Sequence, residues 1–338
     1  MVVESLPEET SEDVTYVVVD STSKALALIA SAYYGHPSRK LSLVGVTGTN
    51  GKTTIATLIY EMALLMGENA GLLSTVANYV GRREIHAERT TPDPLTINRL
   101  LAEMVDEDCS IAAMEVSSHA VVQDRIFGLD FDGAIFTNLT RDHLDYHKTV
   151  EAYRDAKKGF FDSLKPEAWA LTNIDDRNGR FMLQNTAARK ASYSLRSLAD
   201  FSSREIETHL DGTLVSFNGT EIFTRFIGQF NTYNLTAVFG AATLLGWEHD
   251  AVALNMSKLK PVAGRDHIPA DLNEQCHRIE EQDDEKEDNE TSAKSDPPAA
   301  VSSILLHWSA SHSLLRAVQS CSYRQFRQCP HRSASGTS

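Results

Sequence analysis

Residues 44–54, with the sequence VGVTGTNGKTT, decide the fold of this chain. The stretch opens on apolar residues that predict a buried strand, and it ends on residues that predict the start of a helix. Glycines between them let backbone N–H groups approach an anion, and the helix N-terminus supplies partial positive charge. This order predicts a phosphate-binding loop, in which Lys52 reaches the β and γ phosphates of a nucleotide and the Thr53 hydroxyl binds Mg²⁺.

The loop is a variant of the general nucleotide-binding pattern. That pattern places a glycine five residues before Gly51, and Val46 stands there instead. A chance glycine-rich turn is the alternative interpretation. A phosphate site is favoured because the strand, the loop, the Gly-Lys-Thr sequence and the helix follow one another in the required order.

Short apolar runs alternate with amphipathic stretches around this loop. Strands are predicted over residues 41–47, 70–76, 110–116, 133–139 and 168–173. Helices are predicted over residues 53–66, 94–107 and 149–164. The alternation predicts an α/β fold with a mostly parallel sheet and helices on both faces. Because ligands bind such sheets at the carboxyl ends of the strands, functional loops are expected there.

Residues 200–227 have a different character, with apolar residues among polar residues and turn signals. The Asp-Gly pair at 211–212 and the Asn-Gly pair at 218–219 favour type I′ hairpin turns. A small antiparallel β section is therefore predicted. A helix over residues 231–245 follows it and stops at Gly246.

Composition narrows the possible partners of the chain. Its 338 residues include 46 acidic and 32 basic side chains, for a net charge of −14, which argues against nucleic-acid binding. No apolar run reaches the ~18–20 residues of a membrane span, and the acidic start lacks the order of a signal peptide. The four cysteines show no CxxC spacing. We therefore expect a cytoplasmic protein with no membrane partner and no zinc framework.

Four further stretches match one family in order along the chain. They are TTPDP at residues 90–94, MEVSSH at 114–119, NLTRDHLD at 138–145, and GQFN at 228–231 with Asn234. Together with the phosphate loop they resemble the Mur ligases, which form amide bonds at the expense of ATP in bacterial cell-wall synthesis. The resemblance implies the central ATP-binding domain of that family.

The resemblance also points to one group within the family. The TTPDP stretch and the segment from Ser117 through Gln123 to Arg125 resemble ligases that add a third amino acid to UDP-MurNAc-L-Ala-D-Glu. That amino acid is diaminopimelate or lysine, and diaminopimelate is favoured as the commoner choice among bacteria with this family. The D-Glu γ-carboxylate would attack ATP to give an acyl phosphate, which the amine of the diamino acid then attacks.

Roles for single residues follow from the same resemblance. ATP binding is implied for Gly48, Thr49, Asn50, Gly51, Lys52, Thr53, Thr54, Asn231 and Asn234. The sugar–peptide substrate would be held by Thr90, Thr91, Ser117, Gln123 and Arg125. Mg²⁺ would be bound by Thr53, Glu115, His143 and Lys157, the last as a carbamate. The catalytic residues would be Lys52, His143 and Lys157.

Two of the expected metal ligands have alternative interpretations. Glu115 ends an apolar strand, where a carboxylate is costly unless it is paired or holds a metal, although a surface acid at the strand end is also possible. His143 follows another apolar strand. Magnesium prefers oxygen ligands, so chemistry alone makes His143 a general base or a hydrogen-bonded loop histidine. The resemblance favours a metal ligand in both cases.

Lys157 breaks the apolar stripe of its predicted helix. Helical spacing places it on the inner face with Tyr153 and Phe160, where another apolar residue is expected. Such breaks concentrate at functional sites, and desolvation makes a lysine amine nucleophilic. The alternative is a lysine that extends from the helix edge into water. The resemblance implies instead that Lys157 reacts with CO₂ to form a carbamate.

Asn231 also has two interpretations. An asparagine that opens a helix after a Gly-Gln-Phe turn is an ordinary N-cap. The resemblance implies instead that Asn231 and Asn234 contact the base and ribose of ATP.

The two ends of the chain depart from the family pattern. Residues 1–40 are expected to hold a remnant of an N-terminal UDP-binding domain and a linker, with a strand near 16–19 and a helix over 23–34. Residues 41–265 are expected to form the central domain. Residues 266–338 are low in aliphatic side chains, which predicts disorder and no C-terminal ligase domain. A reading-frame shift would produce such a change, and a coding sequence for the missing domain in another frame would support it.

Three functions are therefore compared. The first is the ATP-dependent ligase described above, with UDP-MurNAc-L-Ala-D-Glu and a diamino acid as substrates and a monomeric state. The second is a relative of the folylpolyglutamate synthetases, which the TTPDP stretch and the spacing from Ser117 to Arg125 disfavour. The third is a fragment that binds ATP without ligating anything.

Overall fold

The computed structural model describes residues 1–140 and 147–262. His143 and the rest of residues 141–146 lie outside the described residues, as does the predicted tail over 266–338. The expectations for those positions therefore stay predictions.

An eleven-stranded sheet forms the centre of the described chain. The strands among the described residues, in order, are β1 Val2–Val3, β2 Val17–Val18, β3 Ser42–Thr47, β4 Ala70–Leu73, β5 Ala77–Val80, β6 Arg83–His86, β7 Ile111–Glu115, β8 Gly133–Phe136, β9 Trp169–Asn173, β10 Arg189–Ser194, β11 Phe201–His209, β12 Gly212–Phe217 and β13 Thr220–Thr224. The order across the large sheet is β13-β12-β11-β10-β9-β8-β3-β7-β4-β5-β6. The seven strands from β11 to β4 pair in parallel, and both edges are antiparallel.

Helices lie between and after the strands in the described part of the chain. They are α1 Thr22–Tyr33, α2 Lys52–Leu65, α3 Pro94–Asp106, α4 Ser118–Val122, α5 Val150–Asp162, α6 Gly179–Met182, α7 Gln229–Leu244 and α8 His249–Met256. A short 3₁₀ turn, Pro37–Arg39, precedes β3. None of the helices in the described ranges is both long and apolar enough to cross a membrane.

Both faces of the sheet are buried. Side chains of β3 alternate between them, because Leu43 packs into the core formed with α3, α5 and α6, whereas Val44 and Val46 pack into the core formed with α2, α7 and α8. A strand buried on both faces has an almost continuous apolar sequence, as β3 does. The predicted parallel sheet with helices on both faces is confirmed.

Some strands were not expected from the sequence. The hairpin of β5 and β6 extends one edge of the sheet, and β10 bridges the parallel strands to the antiparallel section. Strand β6 is mostly exposed and charged, and β10 has the sequence RKASYS, so neither shows the apolar run that predicts a buried strand. The five predicted strands are all present, with ends up to three residues earlier than predicted.

The antiparallel section contains both predicted turns, but only one has the predicted geometry. Asn218 and Gly219 have φ angles of 47° and 94°, as a type I′ turn requires. The other turn is at Leu210 and Asp211, which do not have positive φ angles. Its expected glycine, Gly212, lies in β12, where a Cβ would come 2.1 Å from the backbone oxygen of Thr224. The prediction of a type I′ turn there was wrong, because Gly212 provides close strand packing instead.

A close approach of α5 to β3 positions the candidate site. A Cβ on Gly45 would lie 2.5 Å from the ring of Phe160 in α5, so only glycine lets this helix come so near. Phe160 and Phe161 are fully buried in the same core. The helix therefore brings Lys157, one turn before Phe160 and Phe161, to the carboxyl end of β3.

Asp93 begins helix α3 as its N-cap. Its carboxylate accepts hydrogen bonds from the backbone N–H groups of Leu95 (3.0 Å) and Thr96 (3.1 Å) and from the Thr96 hydroxyl (2.7 Å). Burial raises the pKa of Asp93, but these hydrogen bonds outweigh burial and hold its pKa below the usual value.

Replacing this cap should destabilise the protein in a pH-dependent way. Asp93→Ala should lower the free energy of unfolding by about 1 kcal/mol at neutral pH. Because the pKa of Asp93 is lowered on folding, its stabilisation is present above the unfolded pKa of about 3.9 and is lost as pH falls through the folded pKa. Urea unfolding at several pH values measures the difference.

Asp93→Asn is the matched control. Asparagine is also an N-cap residue but does not titrate, so its advantage over alanine should be the same at every pH. A gap between wild type and Asp93→Ala that stays constant below about pH 4 would contradict the assignment.

Candidate active site

The phosphate loop joins the end of β3 to the start of α2. Lys52 Nζ donates to the backbone oxygens of Gly48 (3.0 Å) and Thr49 (2.8 Å). The loop is braced from the end of β8, where the Thr137 hydroxyl donates to the Asn50 oxygen at 2.6 Å. The backbone N–H of Asn50 in turn donates to the side chain of Asn138 at 3.0 Å.

Two observations show that the loop fits a nucleotide phosphate and a metal ion. The Thr53 hydroxyl is buried, and it has no hydrogen-bond partner among the residues that the structure describes. A buried hydroxyl without a partner is costly, so this oxygen suits a ligand that completes the site. Gly48 has φ +149°, and a Cβ there would lie 1.8 Å from the Thr137 hydroxyl, so the loop requires glycine.

Glu115 lies at the end of β7, next to β3, and is 1% exposed. Its Oε1 accepts hydrogen bonds from the backbone N–H (2.7 Å) and the hydroxyl (3.0 Å) of Thr75. The alternative of a surface acid is therefore wrong. A buried carboxylate beside a phosphate loop suits a metal ligand, and the metal role of Glu115 stays a prediction.

Lys157 is also 1% exposed, and its Nζ donates to the Gly48 oxygen at 2.9 Å. The same atom lies 4.5 Å from the centre of the Tyr153 ring. The alternative of a lysine that extends into water is wrong, because the amine points into the protein. The break in the apolar stripe therefore marks a residue at the candidate site.

Asn234 lies against the phosphate loop from α7, and Asn231 lies three residues before it on the same helix. The N-cap of this helix is Gly228, so the alternative that Asn231 is an N-cap is wrong. Asn231 Oδ1 is buried and has no hydrogen-bond partner in the described part of the chain. Asn234 packs on Gly51, since a Cβ on that glycine would lie 2.5 Å from Asn234 Oδ1.

The predicted substrate residues also lie together. The Thr91 hydroxyl donates to the Glu115 backbone oxygen at 2.8 Å and accepts from the Ser117 N–H at 3.1 Å. Arg125 donates to the Thr91 oxygen at 2.7 Å and, through two nitrogens, to Gln123 Oε1 at 3.0 and 2.6 Å. The Thr90 hydroxyl lies 3.2 Å from that of Thr75 and joins this group to Glu115.

One cavity of about 340 Å³ lies between the loop and this cluster. It is lined by Lys52, Arg89, Thr90, Thr91, Ser117, Ser118, His119, Arg125, Tyr153 and Lys157. Basic side chains are concentrated here although the whole chain carries a net charge of −14. A cavity of this kind can bind an anionic ligand in spite of the overall charge.

Four residues that line the cavity, Arg89, Ser118, His119 and Tyr153, were not assigned as site residues from the sequence. Arg89 directly precedes the Thr-Thr pair, and a basic residue at that position is a signal that could have been used. Tyr153 was assigned to the apolar stripe, yet its hydroxyl lies 3.3 Å from that of Thr49. The Ser118 hydroxyl lies 2.8 Å from His147 Nε2, a contact that no sequence pattern reveals.

The described residues contain no group of three or more His, Cys, Asp or Glu side chains that could hold a metal ion. The expected magnesium ligands agree with this, because Thr53 supplies a hydroxyl, Lys157 would supply a carbamate, and His143 lies outside the described residues. Among the residues in view, Thr53 and Glu115 supply the oxygen ligands that magnesium prefers.

The fold and site define an α/β protein with a P-loop-type phosphate loop beside a cavity lined by basic side chains. Residues 46–242 match the model of the Mur ligase middle domain, which is more than half of the chain. The chain belongs to the Mur ligase family.

Individual relatives show which group of Mur ligases the chain is similar to. The chain is similar to the UDP-N-acetylmuramoyl-L-alanyl-D-glutamate–2,6-diaminopimelate ligase of Phocaeicola vulgatus, with 56% identity over 265 residues, 78% of this chain and 55% of that protein. It is 40% identical over 266 residues to the ligase of the same name from Geobacillus kaustophilus, covering 75% of this chain and 54% of that one. The chain spans about half the length of the curated relatives it matches.

Solved structures agree on the fold. A ligase structure with the same name superposes with a TM-score of 0.67 at 29% identity, over 76% of this chain and 54% of that one. The MurF ligase from Thermotoga maritima in complex with ADP superposes with a TM-score of 0.56 over 76% of this chain and 57% of that one. At 18% identity the second likeness concerns the fold alone.

The unpartnered hydroxyl of Thr53 gives a testable prediction. Thr53→Val keeps the shape of the side chain and removes the unsatisfied polar atom, so the ligand-free protein should be equally stable or about 1 kcal/mol more stable. The same variant should lose Mg²⁺-dependent ATP binding. Urea unfolding and calorimetric titration with ATP, with and without Mg²⁺, measure the two effects.

Thr53→Ser, which keeps the hydroxyl, is the control and should bind ATP with Mg²⁺ as the wild type does. Unchanged binding by the valine variant would contradict a role of the hydroxyl in binding Mg²⁺. A marked loss of its stability without ligand would show that the hydroxyl is structural.

Proposed function

We propose that the chain carries the ATP-binding half of a ligase that adds diaminopimelate to UDP-MurNAc-L-Ala-D-Glu. The observation that supports it most directly is the shared cavity. Lys52 and Lys157 reach it from the nucleotide side, and Thr91, Ser117 and Arg125 reach it from the other side. Two anionic substrates bound to these groups would meet beside the phosphate loop.

The reaction proposed here has two steps. A carboxylate oxygen of D-Glu attacks the γ-phosphorus of ATP, so that the bond to the bridging oxygen breaks and ADP leaves. The amine of the diamino acid then attacks the acyl carbon, the C–O bond to phosphate breaks, and the amine nitrogen loses a proton. Each step brings negative groups together, so fixed positive charge at the loop lowers its barrier.

Different residues of this chain would bind the phosphates, the rest of the nucleotide and the sugar–peptide. Lys52 would leave the carbonyls of Gly48 and Thr49 and donate to the β and γ phosphates. Asn231, with its unpartnered Oδ1, and Asn234 would orient the nucleotide from α7. Arg125 would hold an anionic group of the sugar–peptide, since a guanidinium suits bidentate anion binding.

Thr53, Glu115 and His143 would hold Mg²⁺, and Lys157 would join them as a carbamate. Bound magnesium supplies charge neutralisation between two anions. The ammonium group of Lys157 would first lose a proton, and the neutral amine would then form an N–C bond to CO₂ and release a second proton. The product would be a carbamate anion with two oxygen atoms in place of a cation. The position of Lys157 supports this proposal, because the side chain is buried and its Nζ lies at the phosphate loop, 2.9 Å from the Gly48 oxygen.

The names of the relatives favour diaminopimelate over lysine as the third amino acid. They also favour this ligase over a relative of the folylpolyglutamate synthetases. An experiment distinguishes the proposed ligase from the third possibility, a fragment that binds ATP without ligating anything. A monomeric, cytoplasmic protein with no nucleic-acid or membrane partner stays a prediction.

ADP release tests the proposal. The purified chain is incubated with ATP, Mg²⁺, bicarbonate and UDP-MurNAc-L-Ala-D-Glu, with diaminopimelate, with lysine, or with neither. Release should require diaminopimelate, fall when CO₂ is removed, and disappear in Lys52→Ala.

The other outcomes are equally informative. Release that depends on lysine would correct the third amino acid. Absence of release from a chain that still binds ATP would establish a nucleotide-binding unit without ligase activity, and absence of ATP binding would overturn the proposal.

A further inference from the structure

A carboxylate outside the cavity makes several contacts that the mechanism above does not use. Asp175 lies two residues after β9 and accepts hydrogen bonds from the Ser194 hydroxyl (2.7 Å) and the backbone N–H groups of Leu195 (2.8 Å) and Arg196 (3.1 Å). Its fourth donor is the hydroxyl of Tyr233, at 2.8 Å. Asp175 therefore joins the ends of β9 and β10 to helix α7.

The surroundings of Asp175 and Tyr233 favour a charged carboxylate and a neutral hydroxyl. Burial raises the pKa of Asp175, but the hydrogen bonds it accepts outweigh burial and lower its pKa. Burial, followed by the hydrogen bond to the Asp175 carboxylate, raises the pKa of Tyr233. The tyrosine hydroxyl thus donates to a carboxylate, and hydrogen bonds to charged groups are stronger than neutral ones.

Tyr233 lies in sequence between Asn231 and Asn234 of α7, the two asparagines proposed to orient the nucleotide. Its neighbours on α7 are Asn231, whose buried Oδ1 has no partner in the described ranges, and Asn234, which packs on Gly51. The N-cap of the helix, Gly228, has no side chain to hold the first turn in place. Contacts from outside the helix must therefore set the position of that turn.

The next residue, Asp176, contacts the loop that follows β8. Its Oδ2 accepts from the Leu139 N–H at 2.9 Å, in the loop that follows β8. Asn138 in that loop binds the N–H of Asn50 at 3.0 Å. Asp175 and Asp176 thus connect the start of α7 and, through Asn138, the phosphate loop to the end of β9.

We propose that Tyr233, held by Asp175, is a positioning residue for ATP. The hydrogen bond fixes the first turns of α7 against the end of β9, and so places the side chains of Asn231 and Asn234 at the nucleotide. The inference rests on the proposed function, because ATP is the ligand that these asparagines orient. Tyr233 itself need not touch ATP.

The test compares two tyrosines that make the same kind of contact. Tyr233→Phe removes only the hydroxyl, and it should raise the Kd for ATP with Mg²⁺ about tenfold. Tyr79→Phe is the control, because the Tyr79 hydroxyl donates to Glu84 Oε2 at 2.9 Å on the far side of the sheet. Its Kd should not change. Urea unfolding of the full chain shows whether each variant is folded under the titration conditions.

A double-mutant cycle separates positioning from general support. If Tyr233 acts through the asparagines, Tyr233→Phe should weaken ATP binding much less in an Asn231→Ala or Asn234→Ala background than in the wild type. A purely structural role changes the unfolding free energy but gives additive effects on Kd.

Each outcome decides the matter. An unchanged Kd in Tyr233→Phe, or an effect that is equally large in both asparagine backgrounds, overturns the positioning role and leaves the proposed function intact. A wild-type chain that does not bind ATP overturns the proposed function and this inference together.

Discussion

The backbone oxygen of Gly48 is the point on which the site depends. It accepts hydrogen bonds from Lys52 Nζ at 3.0 Å and from Lys157 Nζ at 2.9 Å. The first lysine begins α2 and the second lies in α5, so this oxygen brings together two helices on opposite faces of the sheet. The arrangement needs glycine at Gly45, where α5 packs, and at Gly48 itself. Lys52 brings positive charge to the point where a phosphate would bind, and Lys157 lies beside it, where the proposed carbamate would offer oxygen ligands to a metal ion.

The polar side chains at the phosphate loop are buried, and their burial explains why the site suits a charged ligand. Lys157, Glu115 and Thr53 are each 1% exposed, and polar groups so deep in a protein are costly unless a partner completes them. Glu115 has such a partner in Thr75, whereas the Thr53 hydroxyl has none among the described residues. The ligand-free site therefore holds an incomplete set of interactions, and the anions and metal proposed here would complete it. An acidic chain can bind acidic substrates because the positive charge is local.

The sequence was sufficient for the centre of the fold. The phosphate loop and the long apolar runs have strong periodic signals, so strands β3, β4, β7, β8 and β9 and the long helices α2, α3 and α5 were predicted. The edge hairpin of β5 and β6 and the bridging strand β10 were not predicted, because none of them has a long apolar run and their place in the sheet depends on tertiary context. Gly212 was misassigned for the same reason, since its close contact with Thr224 is tertiary.

The site was predicted to a similar extent. Lys157 was identifiable because a lysine on an apolar stripe breaks a local pattern. Asp175 and Tyr233 break no pattern, and their contact spans 58 residues, so only the structure brings them together. Their importance follows from geometry alone.

The most direct test of the central claim is a crystal structure of the chain with Mg²⁺ and a non-hydrolysable ATP analogue. The account predicts that Lys52 Nζ leaves the Gly48 oxygen for the β and γ phosphates, and that the metal bonds to the Thr53 hydroxyl. A nucleotide bound elsewhere, or a Lys52 that keeps its contact with Gly48 while the nucleotide is in place, would contradict it.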